Sequence, residues 1–164
     1  MEIRKLEQKD HGQLKELIDA VVDDLKVKDW LIAPTKEEIE SVFENNNVEF
    51  WGVFDGDTLL SISCLSFDND DFSEIVKACG IENLKVAEIA ECMTLPFARG
   101  NNLTLQINQK LVQVAKSMGF DYLVATAHPD NIASNISLQK LGMTSSTQIH
   151  RYGTHLRNCF VMKL

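Results

Sequence analysis

Apolar and polar residues alternate over residues 2–6, as on a half-buried strand, and the period then lengthens. Leu14, Leu17, Ile18, Val21, Val22 and Leu25 recur every three or four residues, which predicts an amphipathic helix. After Pro34, Thr35 and Glu38 stand three apart, the spacing of an N-terminal capping box, and Ile39, Val42 and Phe43 supply the apolar face of a second, shorter helix. Residues 48–54 and 58–65 are apolar, β-rich runs separated by Asp55-Gly56-Asp57, whose Asp-Gly pair suits a tight hairpin turn with positive φ. The polar run Asp68-Asn69-Asp70-Asp71 opens a loop, and residues 72–79 predict a short helix stopped by Gly80.

Residues 86–95 read as a strand ended by Pro96, which can neither extend a sheet ladder nor sit deep inside a helix. Leu103, Ile107, Leu111, Val114, Ala115 and Met118 then mark one face of a long helix, with Gly119 as its stop. Residues 122–127 are continuously apolar, as in a strand covered on both faces, so residues 86–127 predict a β-turn-α-β unit with a parallel pair and a right-handed crossover. A further helix over residues 132–141 ends at Gly142, and strands over 143–150 and 155–163 flank Tyr152-Gly153. The expectation is one α/β (α+β) domain over residues 1–164, without repeats or linkers.

Charge narrows the partners. Sixteen Lys plus Arg against 24 Asp plus Glu leave the chain at −8, which argues against a general phosphate-backbone binder and favours approach by a cation such as an amine. Cys64, Cys79, Cys92 and Cys159 include no C-x-x-C pair, and three of the four lie in apolar stretches, so reduced, buried thiols are expected. The first residues are charged, and no stretch approaches the roughly 18 apolar residues of a membrane helix, so the expectation is a cytoplasmic protein that does not engage a membrane. No metal is expected, because no cluster of His, Cys or acids has ligand spacing, and there is no Ser-centred nucleophile elbow.

The segment from Thr94 to Thr104 places a strand end, a sharp turn and a helix start within eleven residues. Helix-start N–H groups lack internal partners and, with the helix dipole, suit a phosphate or diphosphate. Arg99 adds a cationic fork, Gly100 frees the backbone, and Asn101 and Asn102 tolerate unusual turn angles. Pro96-x-x-Arg99-Gly100-x-x-Leu103 resembles the acetyl-CoA signature of the GNAT N-acetyltransferases, with Asn102 and Thr104 at the places of its second and third glycines. The stretch Asn131-x-x-Ser134, continuing to Lys140-x-Gly142-Met143, resembles the second motif of that family, with Met143 in place of Phe.

The resemblance implies a mixed, mostly antiparallel central sheet of about seven strands with flanking helices, splayed between the fourth and fifth strands. It implies acetyl-CoA as co-substrate, a small-molecule amine or peptide as acceptor, and a possible homodimer. By the same carry-over, backbone groups of Met93, Thr94 and Leu95 bond the acyl-pantetheine, Arg99, Gly100, Asn101, Asn102, Leu103 and Thr104 hold the diphosphate, and Asn131 and Ser134 contact the coenzyme. Asn131 can also cap its helix.

Acyl transfer to an amine needs a base for the nitrogen and an acid for the departing thiolate. The family's acidic tyrosine corresponds to Leu138, which cannot donate a proton, and Ser137 is expected to face elsewhere on the helix. Tyr152 is the preferred acid, with a packed turn aromatic as the alternative. Glu91 is the preferred base. On strict alternation it shares a face with Met93 and Leu95, while Glu88 shares one with Ala90 and Cys92, so only one of the two carboxylates is expected to face the site. The competing expectation is that Glu91 pairs with a nearby Arg or Lys. His128, His150 and His155 remain uncommitted, and Cys92 raises a covalent thiol route that the family seldom uses. A binding module that senses acyl-CoA without turnover is the alternative suggested by Leu138 and Asn102.

Overall fold

The computed structural model describes residues 1–68, 70–151 and 153–164. Its elements run β1 (Glu2–Lys5), α1 (His11–Asp24), α2 (Lys36–Glu40), β2 (Val48–Asp55), β3 (Thr58–Ser66), α3 (Ser73–Ala78), β4 (Val86–Thr94), α4 (Leu103–Ser117), β5 (Tyr122–Ala127), α5 (Ile132–Leu141), β6 (Thr144–Arg151) and β7 (His155–Lys163). The strands form one seven-stranded sheet in the order β1-β2-β3-β4-β5-β7-β6, antiparallel except for the parallel pair β4–β5. The Asp-Gly turn holds: Asp55 pairs with Thr58 around Gly56, at φ 56°.

The helical stripes read from the sequence are the buried faces. On one side of the sheet, Leu103, Ile107, Leu111 and Ala115 of α4 and Leu138 of α5 pack with Ala87, Ile89, Leu123 and Ala125. On the other, Leu14, Leu17, Ile18 and Val21 of α1 pack with Phe54, Leu59, Ile62 and Met93, while Phe72, Ile75 and Val76 pack with Val86, Val124 and Cys159. Each fully buried Leu or Ile contributes about 1.5–3 kcal/mol, so α4 is anchored along its length while its first turn stays available. The second helix is shorter than its apolar face suggested. Its Thr35–Glu38 capping box forms, with Glu38 N–H donating to Thr35 Oγ1 and Thr35 N–H to Glu38 Oε2, but α2 stops at Glu40 and leaves Val42 and Phe43 in the turns that follow.

Two expectations are corrected. Only Cys64 and Cys159 are buried; Cys79 is intermediate and Cys92 exposed. Strict alternation along β4 fails because Ala90 pairs with Cys64 and Met93 with Ile62, leaving Glu91 and Cys92 together opposite Ser63. Glu91 takes φ 49° at this bulge. The extra residue reverses the side-chain parity beyond it, so Met93 joins the α1 face while Ala87 and Ile89 lie on the α4 face.

Candidate active site

The bulge and the parallel pair together open the sheet. β4 and β5 pair from Val86–Tyr122 to Ile89–Ala125 and no further, although β4 continues to Thr94 and β5 to Ala127. A cavity of about 1130 Å³ occupies this parting and runs on to the start of α4 and to the segment between α1 and α2. It brings together Glu91, Met93, Thr94, Arg99, Gly100, Asn101, Asn102, Leu103, Thr104, Asn131 and Ser134; Leu95 does not line it. Tyr152 lies outside the described residues.

The backbone site expected over Met93, Thr94 and Leu95 narrows in the structure. The Leu95 N–H donates to the Leu60 carbonyl at 3.0 Å, and Ser61 Oγ donates to the Met93 carbonyl at 2.9 Å. Since antiparallel neighbours alternate between bonded and non-bonded pairs, the register that bonds Leu95 to Leu60 turns the Thr94 backbone groups away from β3, toward the gap.

At the turn, Gly100 has φ 83° and Asn102 φ 54°, both left-handed. A Cβ at Gly100 would meet nothing within 4 Å, so its backbone angle is what favours glycine there. Asn102 precedes Leu103, the first residue of α4; Leu103 and Thr104 line the cavity, and the amides of a first helical turn have no intrahelical partners. The side chain of Asn101 is spent inside the loop, donating to the carbonyls of Ala98 (3.0 Å) and Arg99 (3.4 Å). Arg99 Nη1 donates to Asp24 Oδ2 at 2.5 Å in a half-exposed pair, an engagement the sequence did not announce; its other guanidinium N–H groups remain as donors. A left-handed cradle, a free helix start and one arginine fit a diphosphate, and the gap between strands fits a thiol-bearing arm.

Both Glu88 and Glu91 line the cavity, correcting the expectation that only one would. Glu88 is the carboxylate that found a cation. Arg151 Nη1 and Nη2 donate to its two oxygens at 2.5 and 3.0 Å, and Nη2 also donates to the Asp71 carbonyl at 3.0 Å, tying β6 to β4 and to the acidic loop. Burial pushes Glu88 up and the Arg151 guanidinium pulls against it. Glu91 Oε2 is buried with no hydrogen-bond partner among the described residues. Burial first, then the negative charges of Glu88 and Glu38, raise the Glu91 carboxyl to about 7, with Arg151 opposing weakly.

Asn131 caps α5 by accepting from the Ser134 N–H at 3.2 Å, and both residues line the cavity. Ser137 lines it too, against the expectation that it faces elsewhere, beside Leu138, which is 4% exposed. Cys92 opens onto the cleft floor yet sits deep in the fold. Its Sγ lies 3.4 Å from Ser63 Oγ and 3.6 Å from Asn108 Nδ2, and burial raises its thiol above the usual range, which disfavours the thiolate of a covalent route.

Sequence reasoning missed Asp29. Its carboxylate bridges His155 Nδ1 and, at 3.1 Å, His128 Nε2, while its carbonyl accepts from Arg157 Nη2 at 2.7 Å. The His155 bond lowers the Asp29 carboxyl. His128 Nδ1 accepts from the Asp130 N–H, so its Nε2 carries the proton directed at Asp29. This clasp draws the segment after α1 across to the ends of β5 and β7. Arg151 was missed as well: a lone arginine at a strand end carries no pattern that singles it out.

Among the described residues, no group of three or more His, Cys, Asp or Glu side chains is placed to hold a metal ion, and no helix is long and apolar enough to cross a membrane. The model of the acetyltransferase (GNAT) family matches residues 11–143. No curated protein sequence matches the chain. An N-acetyltransferase from Staphylococcus aureus Mu50 has a similar structure, with TM-score 0.74 at 18% identity, covering 99% of this chain and 97% of that one. The ribosomal-protein-alanine N-acetyltransferase from Brucella melitensis gives TM-score 0.74 at 16% identity over 100% of both chains. The putative acetyltransferase yncA from Salmonella typhimurium, solved with its cofactor acetyl-CoA, gives 0.74 at 16% identity, covering 100% of this chain and 94% of that one. At these identities the likeness is one of fold.

Proposed function

The chain belongs to the acetyltransferase (GNAT) family, and from that premise we propose that it moves an acetyl group from coenzyme A to a primary amine of a small molecule or peptide by direct transfer. The observation that carries this reading is Glu91, whose buried Oε2 has no hydrogen-bond partner among the described residues, on β4 beyond the last β4–β5 pair.

Acetyl-CoA, when bound, supplies the acyl thioester. The α4 first turn with Arg99, Gly100 and Asn102 holds its diphosphate, and the Thr94 backbone meets its arm. Glu91 takes the proton of the acceptor ammonium. An alkylammonium loses its proton near pH 10.4; passing that proton to an ordinary carboxyl near 4.5 is uphill by about 8 kcal/mol, and to one at about 7 by only about 5 kcal/mol. The negative surroundings that raise Glu91 also draw in the cation. The freed nitrogen forms the new C–N bond and the C–S bond breaks; the thiolate accepts a proton from Tyr152, and the proton that the nitrogen sheds on becoming an amide restores Tyr152. That last assignment rests on chain position, next to the cavity-lining Arg151.

Leu138, buried where the family's tyrosine stands, favours a second reading, an acyl-CoA sensor that turns over little. Thiol release from acetyl-CoA with a panel of amines, run beside calorimetry with coenzyme A, separates the two. Turnover that collapses in Glu91→Gln while coenzyme A still binds supports the enzyme; tight binding with no thiol release supports the sensor. Neither binding nor release refutes both.

A further inference from the structure

We propose that the acceptor is a diamine, with one amino group presented to Glu91 and a second cation held by Glu38 and Asp71. This rests on the acyl-transfer reading and names the substrate class of that same cavity. Besides Asp24, which pairs with Arg99, four carboxylates line the cavity, Glu38, Asp71, Glu88 and Glu91. Of the cations lining it, Arg151 grips Glu88, Arg157 donates to the main-chain carbonyls of Leu156 and Asp29, Arg99 pairs with Asp24, and Lys26 is exposed just after α1. An acceptor carrying its own carboxylate, such as a free amino acid, would therefore meet arginines already bound to protein groups and the exposed Lys26, beside three carboxylates that form no salt bridge among the described residues.

The second observation pointing to a ligand is Glu91, whose buried Oε2 has no hydrogen-bond partner among the described residues. Among the described residues, the Glu38 carboxylate accepts only from the Thr35 N–H, and Asp71 contributes its carbonyl to Arg151 while its carboxylate forms no hydrogen bond or ion pair. Both line the cavity and are exposed, and both are felt electrostatically within it: Glu38 raises Glu91 and Asp71, and Asp71 raises Glu88. Trp30, Leu31 and Phe50 supply apolar wall to the same cavity. A body that is apolar in the middle and cationic at both ends matches this distribution: Glu91 consumes the proton of one end, and the exposed pair keeps the charge of the other.

The test compares kcat/KM for acetylation of straight-chain monoamines, α,ω-diamines of matched length, amino acids and short peptides, in the wild type and in the double variant E38Q/D71N. Glutamine at 38 preserves the capping box. The expected result is a diamine preference over the matched monoamine that falls by about tenfold in the double variant, chiefly through KM, the size expected of two partly exposed ion pairs. Equal use of monoamines and diamines, or a preference for peptides or amino acids, overturns the diamine while leaving acyl transfer intact. If no amine is acetylated, acyl transfer is refuted, and the diamine is judged by calorimetry on the coenzyme A complex: binding weakened in E38Q/D71N sustains the site, and no binding overturns it.

Discussion

Replacing Glu91 by glutamine should make the fold more stable at alkaline pH while disabling the site. The folded carboxyl is raised from 4.5 to about 7 by burial first and then by the charges of Glu88 and Glu38, and its Oε2 has no hydrogen-bond partner among the described residues. The native state thus keeps a proton that the unfolded chain releases as pH rises from 4.5 to about 7, and the stability that this proton supports is present below that window and lost as pH climbs through it. A displacement of that size corresponds to about 3 kcal/mol; the open mouth of the cleft screens part of it, leaving about 2 kcal/mol. Glutamine does not titrate. Urea unfolding of both proteins at about pH 5 and about pH 8 should show the Glu91→Gln variant gaining about 2 kcal/mol on the wild type between the two conditions, or roughly 4–8 °C in melting temperature for a chain of this size. Every other titrating group is common to the two proteins, so the difference isolates residue 91. Parallel curves at both pH values would refute the reasoning, because they would mean that the carboxyl is solvated or paired.

Other substitutions test the surrounding parts. Arg151→Met should cost about 3–5 kcal/mol in urea unfolding by stranding Glu88, and the added Glu88→Gln should restore part of it; additive losses would contradict the pair. Asn102→Ala, at φ 54°, should cost about 1–2 kcal/mol, whereas Asn102→Gly should not, as read by the same unfolding. Arg99→Ala should weaken coenzyme A by about tenfold or more in calorimetry at a stability cost below about 1 kcal/mol. Asp24→Asn should tighten coenzyme A by releasing Arg99; unchanged affinity in both variants would remove Arg99 from the diphosphate site.

Most of the fold was legible because apolar periodicity records burial directly. The α4 stripe at Leu103, Ile107, Leu111 and Ala115 is the contact made with the sheet, and the unbroken run of β5 marks a strand covered on both faces. The turn after Pro96 was legible through Arg99 and Gly100. Alternation failed at Glu91 and Cys92, because a bulge depends on how β3 registers against β4, and register is a property of two strands that no single strand displays. The Glu88–Arg151 pair spans 63 residues and the Asp29–His155 contact 126, and neither leaves a local pattern. Asp24 and Asn101 show a related limit. A side chain can have the right chemistry for a ligand and still be committed to a neighbour in the fold.

The reading that Glu91 accepts the acceptor's proton is tested most directly by kcat/KM for thiol release from acetyl-CoA across the range from about pH 5.5 to about pH 9. The wild-type profile should bend near pH 7, where the raised carboxyl ionises, above the rise owed to the amine itself, and the bend should vanish in Glu91→Gln together with about a hundredfold or more in rate. The same bend and a similar rate in the variant would contradict it.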